Sequence, residues 1–503
     1  MSGALSALHG RAGRRWFTWQ FQALTMVLYA LVRLPSFFEP YWYTDEAGYS
    51  VTARQALGGS ALYSQAWTNK PPLQIWSVAA AQRVFGPSEW GLHVLTFFSG
   101  LIALLAVIAL SRSILGGWRA LLASAGYALL LGLPALNAEI AVPESLLVAP
   151  VTCAGALILW RLCQGGPPSG RWGALWAPAS GILLGLGLGF QQTVLADEAA
   201  LFWVLMVVPG RTYRELGLHL AGLALAVAAW LGPALAVAGG SEVWFSLVGF
   251  YRSYAQYSAP RSGVITGLLI VCPPLAAAGA VLLRRSANPM WAAFLWASAT
   301  LWVVALANRP YPHFWIPVAA PLVLGGASLP PRLAGWGRRA LPLGAAFAVL
   351  GVLASPTPFE DVATQAYLLW PRALLTSSQS VWQLRFNSTN APADQAVSRF
   401  ILEQEPAGAS TVLWSSSAWP YLLANLQVQM RAAPIYNDVV LMGSGADVAA
   451  QVRELAPDLI VTSTEGLQQW PQIDGLLHRR YEVVYSSGVD TVYQRLPAPP
   501  APA

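Results

Sequence analysis

The chain has 503 residues, of which 55% are hydrophobic and only 10% charged, and it holds 23 tryptophans. That balance belongs to a protein threaded repeatedly through a bilayer and excludes an ordinary soluble globule. The net charge of +6 comes mostly from arginines set between apolar runs. It reads as a topology signal and not as the basic face of a nucleic-acid binder, so no nucleic-acid partner is expected. Cys153, Cys163 and Cys272 all fall in or beside apolar runs, which supports neither a disulfide framework nor a metal cluster.

Arg11, Arg14 and Arg15 precede a long apolar run that ends in Arg33-Leu34-Pro35, with no small-residue cleavage site. The run is expected to be an uncleaved first span. Apolar stretches near residues 18–38, 91–110, 118–136, 141–160, 174–190, 192–208, 215–237, 263–283, 289–306, 311–328 and 338–354 predict about eleven transmembrane helices. Arginines mark alternate connections: the N-terminus, Arg112/Arg119, Arg161/Arg171, Arg211/Arg214, Arg284/Arg285 and Arg332/Arg338/Arg339. Cytoplasmic loops carry that excess, so the N-terminus is expected inside. The loops at 39–90 and 238–262, the turn at 308–313 and everything after 355 then lie outside.

The first outer loop holds Thr44-Asp45-Glu46-Ala47-Gly48-Tyr49 and Asn69-Lys70-Pro71-Pro72-Leu73, and Lys70 is the sole lysine of the chain. A chain that otherwise uses arginine marks this position as one that wants a compact ammonium. Helical spacing of Ala47, Val51, Arg54 and Leu57, then of Leu73, Trp76, Ala80 and Val84, predicts two short amphipathic helices on the membrane surface. Trp42, Trp67, Trp76 and Trp90 would anchor them. Pro71-Pro72 fits the first turn of the second helix, where missing N–H groups cost nothing. The bland alternative makes Asp45 a helix cap and Lys70 a snorkelling interface residue.

Further along, Asn137, Glu139 and Glu144 stand at the outer start of the fourth span, as catalytic supports or as plain interfacial acids. Asp197 and Glu198 fall inside the sixth span, where carboxylates are costly and usually functional, unless the boundary near Gln191 lies deeper. No role follows for them. Arg252, Tyr254, Tyr257 and Arg261 form a basic-aromatic loop suited to headgroups, phosphate or sugar rings. Asn308-Arg309-Pro310-Tyr311-Pro312-His313 places a guanidinium and an imidazole before the tenth span, to be read as anchors or as site residues.

After residue 355 the composition turns polar. Helix-like stretches at 394–405, 446–455 and 466–477 alternate with strand-like 410–414, 458–463, 481–486 and 491–494. This predicts a small extracytoplasmic α/β domain with a largely parallel sheet. Gly443-Ser444-Gly445 reads as a turn. The expected organisation is a transmembrane domain over 1–355, a linker over 356–392, the α/β domain over 393–496 and a disordered tail over 497–503.

Two carboxylates and a lone lysine in one outer loop suit sugar transfer from a lipid phosphate. A carboxylate takes the acceptor hydroxyl's proton and a cation meets the departing phosphate. With such a leaving group no second carboxylic acid is required, unlike glycoside hydrolysis. Two adjacent carboxylates are too little to claim a metal, so no metal ligands are assigned and a divalent cation is left open.

These motifs, with Leu62-Tyr63, Phe85-Gly86-Pro87-Ser88-Glu89 and Pro310-Tyr311-Pro312-His313-Phe314, resemble the polyprenyl-phosphate-sugar-dependent C-type membrane glycosyltransferases. Within that group they look like the family 39 and lipid A aminoarabinose-transferase kind, mannosyltransferase-like enzymes of envelope glycosylation. The resemblance covers about residues 18–330. It implies an outer-face active site and inverting transfer of a hexose or pentose from a polyprenyl-phosphate sugar to a glycan, lipid or protein acceptor. It makes Asp45 the catalytic carboxylate with Glu46 beside it, and Lys70 the donor-phosphate contact, helped by Arg309 or Arg252. Tyr49, Glu144, Tyr311 and His313 become substrate-binding groups. Two positions depart from the pattern: Glu144 stands where relatives commonly carry Asp, and Gln191 where many carry Lys. A lipid-linked sugar transporter and a non-catalytic membrane scaffold are the rival readings. A transporter needs polar features near the bilayer midplane, whereas the polar groups here gather at one face.

Overall fold

The computed structural model describes residues 20–115, 117–164, 170–254, 262–308, 311–328, 362–376, 382–386, 389–404 and 409–497. The expected span at 338–354, residues Tyr257, Arg261 and Arg309, and nearly all of the expected tail lie outside these residues. Among the described residues, six helices are long and apolar enough to cross a membrane. They are α1 (Gln20–Phe38), α4 (Glu89–Ile114), α6 (Pro143–Leu162), α9 (Tyr213–Ala238), α12 (Gly263–Ser286) and α13 (Pro289–Ala307). Between them run α2 (Thr44–Leu57), α3 (Pro72–Phe85), α5 (Gly117–Gly132), α7 (Gly170–Leu188), α8 (Val194–Val207), α10 (Gly240–Trp244), α11 (Phe250–Tyr254) and α14 (Ile316–Ala327). The chain is thus a polytopic helical membrane protein. It forms two compact units, one of residues 1–37, 93–231 and 258–368, the other of 38–92, 232–257 and 369–503.

The first unit is the helical bundle. Sequence sets its boundaries: Pro143 opens α6 at a position where its missing N–H is no loss, and Asn288 caps α13 by accepting from the Met290 N–H at 2.9 Å. Small residues let the backbones close up. A methyl group on Gly181 of α7 would stand 1.9 Å from the His219 carbonyl oxygen of α9, and one on Gly222 would stand 2.3 Å from that of Pro178. Close approach of this kind is how helices associate in lipid, where apolar surface alone offers no driving force. Gly155 likewise makes room for the Trp296 ring. At one end of the bundle Arg161 is buried and paired with Glu215 at 3.0 Å. A second buried pair, Arg33 with Glu139 at 3.7 Å, is tied in by Thr96, which accepts from Arg33 and donates to the Glu139 carbonyl.

The second unit gathers the first long loop with the C-terminal part. Its four-stranded sheet runs β1 (Thr411–Trp414), β2 (Leu459–Ser463), β4 (Asp490–Arg495), β3 (Tyr481–Ser486). β1 and β2 are parallel, in register at Val412 and Ile460, and their crossover carries helices Trp419–Leu423, Ile435–Met442 and Gly445–Leu455. The other two pairings are antiparallel. The expected largely parallel sheet is thereby corrected. Only a short turn through Gly488, at φ 88°, joins β3 to β4, and a parallel return needs a crossover of a dozen residues or more. The helix expected at 466–477 is broken at Pro471 into Thr464–Gln469, Pro471–Ile473 and Asp474–Arg480, because proline cannot continue the ladder of N–H donors.

The two helices of the first loop are present, but α2 is no amphipathic surface helix. Residues 46–53 are buried without a break, and Ala47 and Val51 pack with Leu413, Trp419 and Val461. Arg54 donates to the carbonyls of Tyr421 and Leu426 at 2.8 and 2.5 Å. Two of the expected interfacial anchors are likewise core residues. Trp67 packs on Phe250, ring centres 4.6 Å apart, and Trp42 donates its indole N–H to Glu39 at 2.7 Å. Trp90 is exposed.

Candidate active site

Asp45 and Glu46 both fall in the first turn of α2, where the aligned peptide dipoles favour negative charge. Asp45 is not the cap: Tyr43 holds that position, and its side chain does not cap the helix. The two carboxylates part company in burial. Asp45 is half-exposed and Glu46 fully buried. Glu46 lies within electrostatic reach of the buried Glu89, as does Glu39. Glu39 and Glu89 therefore belong to the same acidic neighbourhood, and sequence reasoning missed both. The signal for Glu89 was its place at the end of Phe85-Gly86-Pro87-Ser88-Glu89.

Lys70 stands immediately before the two prolines that open α3, half-exposed at the positive end of that helix. Its main chain is held tightly. The Tyr63 hydroxyl donates to the Lys70 carbonyl at 2.8 Å, the Lys70 N–H donates to Thr68 Oγ1 at 3.3 Å, and the Tyr251 hydroxyl donates to the Asn69 carbonyl at 3.1 Å. Tyr63 itself is buried at φ 76°, a left-handed backbone that a bulky residue adopts only under tertiary constraint. Arg431 closes the same loop, donating to the Tyr63 carbonyl and pairing with Glu242, while its carbonyl accepts from the Trp67 N–H. Tyr49 is buried on α2, and Arg252 is exposed on α11. Asp45, Glu46, Tyr49, Lys70 and Arg252 all belong to this unit.

The other expected residues belong to the helical bundle. Glu144 occupies the first turn of α6 and is buried. His313 is buried and stacks on the exposed Tyr311, ring centres 5.6 Å apart and planes 5° from parallel. Asp197 and Glu198, adjacent in α8, diverge. Asp197 Oδ1 accepts from the Trp296 indole at 2.6 Å and from the Thr300 hydroxyl at 2.8 Å. Glu198 meets His219 Nε2 at 3.1 Å, and His219 Nδ1 meets the Ser180 hydroxyl at 2.9 Å. Both acids lie in α8. Gln191 lies in the turn before α8, with Glu144 and Asp197 around one small cavity.

Residues 69–233 match the family described as dolichyl-phosphate-mannose-protein mannosyltransferase. No curated protein sequence matches the chain. The structure is similar to that of ArnT from Cupriavidus metallidurans in the apo state, at 16% identity and a TM-score of 0.58 over 96% of this chain and 98% of that one. It is similar also to the same protein bound to undecaprenyl phosphate, at 16% identity and a TM-score of 0.57 over 95% and 97%. The chain thus shares the fold of ArnT, and its residues 69–233 are similar to the dolichyl-phosphate-mannose-protein mannosyltransferase family.

Proposed function

We propose that this protein transfers a sugar, with inversion, from a polyprenyl-phosphate carrier to an acceptor hydroxyl at the outer face of the cytoplasmic membrane. The observation that carries the reading is the split between Asp45 and Glu46. One carboxylate of the pair reaches solvent from a rigid helix turn and the other is buried beneath it. A general base must reach the substrate's proton while its neighbours hold it in place. In the reaction the acceptor oxygen attacks the sugar's anomeric carbon from the side opposite the phosphate. Its proton passes to Asp45, the carbon–oxygen bond to phosphate breaks, and polyprenyl phosphate departs with its charge met by Lys70. Glu46 positions Asp45, Arg252 and Arg309 add positive charge for the phosphate, and Tyr49, Glu144, Tyr311 and His313 support the sugar and the acceptor.

The placement of Asn69 and Lys70 at the start of the family match supports this reading. So does a fold shared with a protein that has been seen holding undecaprenyl phosphate. We put the N-terminus inside and the sheet-bearing C-terminal part outside, as the arginine-rich connections suggest.

The test is release of free polyprenyl phosphate from a panel of polyprenyl-phosphate sugars, with membrane extract as the acceptor source. Wild type is expected to release it from one donor class, and Asp45→Asn to lower that rate about 10²–10⁴-fold. Release that survives the substitution unchanged would move the base elsewhere. Tight donor binding with no release in wild type would turn the assignment to a transporter or scaffold.

A further inference from the structure

Where α6 and α8 begin, the bundle leaves a small, partly open cavity of about 10 Å³ bordered by Glu144, Gln191, Thr193, Asp197 and Thr300, with Phe314 and Pro317 among its apolar walls. That volume is about the size of one water or one ion. Its donors are all oxygens. Both carboxylate oxygens of Glu144 and the amide oxygen of Gln191 are buried and accept no hydrogen bond, and these side chains are 2% and 5% exposed. Asp197, 2% exposed, is anchored through Oδ1 by Trp296 and Thr300.

A buried carboxylate with neither donor nor counter-charge is expensive. Among the described residues Glu144 is such a group, and it shares the cavity with a second buried acid, Asp197. Both acids stand in the first turn of their helices. The lone pairs of Glu144 and Gln191 are left unsatisfied there. Two carboxylates, an amide oxygen and threonine hydroxyls form the hard donor set that Ca²⁺ and Mn²⁺ select. A cavity this small has no room for the water shell that Mg²⁺ retains.

We infer that Glu144, Asp197 and Gln191 form a binding site for one largely dehydrated divalent cation in the helical bundle. The ion offsets the paired charge and ties α6 and α8 to α13 through Thr300. The site stands apart from the Asp45 assignment, since it is read out by binding without turnover. In this reading Gln191 is an oxygen ligand, which accounts for a neutral amide between two acids.

The full chain in nanodiscs, stripped with chelator, is titrated with Mn²⁺ and followed by loss of the free-ion paramagnetic signal. Ca²⁺ is the competitor. One equivalent is expected to bind, with displacement by Ca²⁺. Glu144→Gln and Asp197→Asn should each weaken binding at least about tenfold. Gln191→Glu, which adds a charge without deleting a group, should tighten it, so the inference does not rest on losses that misfolding would mimic. Absence of stoichiometric Mn²⁺ binding to wild type would overturn the site. So would one equivalent whose affinity none of the three substitutions changes.

Discussion

Asp45 and Glu46 are neighbours in one helical turn, yet one reaches solvent and the other is sealed among Glu39 and Glu89. Nothing in the dipeptide says which is which; that comes from residues 46–53 of α2 being buried continuously by the rest of their unit. Lys70 was more legible, because a unique residue type before two prolines carries its own argument. Its carbonyl and amide are fixed by Tyr63 and Thr68, so the ammonium swings from a rigid base. Lys70→Gln is expected to lower kcat/KM for the lipid-phosphate donor by about 10²-fold, in line with the loss of one preorganised charge at a leaving group. Lys70→Arg should recover only part of it, since a planar fork does not reproduce a compact ammonium. Steady-state kinetics of both variants checks this, and full activity in Lys70→Gln would remove Lys70 from the phosphate.

At the scale of elements, the C-terminal sheet carries a pH dependence that the sequence did not announce. Asp490, at the start of β4, is 2% exposed, and burial raises its carboxyl from 3.8 to about 6. Asp394 is raised well above the carboxylate range, first by burial and further by the charge of Asp490, although the Ser417 hydroxyl donates to it at 2.7 Å. The folded chain therefore binds these protons more tightly than the unfolded one. The stability tied to Asp490 is complete below about pH 4 and is lost as pH rises through about 6, an effect of up to about 3 kcal/mol. Asp490→Asn should protect the sheet more strongly than wild type at pH 7 and as strongly at pH 4. Hydrogen exchange of β2 and β4 peptides in the full chain, corrected for intrinsic rates, measures it. Equal protection of the two proteins at pH 7 would refute the assignment. The strands themselves were readable from their apolar runs to within a residue or so. The sheet's direction was not, because alternation of strand and helix favours parallel pairing and only the brevity of the Gly488 turn reverses it. Helices Trp419–Leu423 and Ile435–Met442 escaped notice for a related reason. Each is short, and tertiary packing stabilises it more than its own periodicity does.

For the whole molecule, the informative signal was the alternation of arginines between apolar runs, and it carries one prediction about orientation. Arg161 and Glu215 pair where α6 ends and α9 begins, so these two helix ends share one end of the bundle. Cys163 follows α6 there and is exposed. If arginine-rich connections face the cytoplasm, Cys163 must be reachable only from inside. A membrane-impermeant maleimide should leave it unlabelled in intact spheroplasts and label it in inverted vesicles. Cys272 is buried and should label in neither. A cysteine placed at Val489, exposed in the turn between β3 and β4, should show the reverse pattern in a background lacking the native thiols. Labelling of Cys163 from outside would refute this orientation and with it the outer-face placement of Asp45. The two cysteines thus test more than topology, because a transferase of the outer surface requires the Cys163 end and the β3–β4 turn to lie on opposite sides of one bilayer.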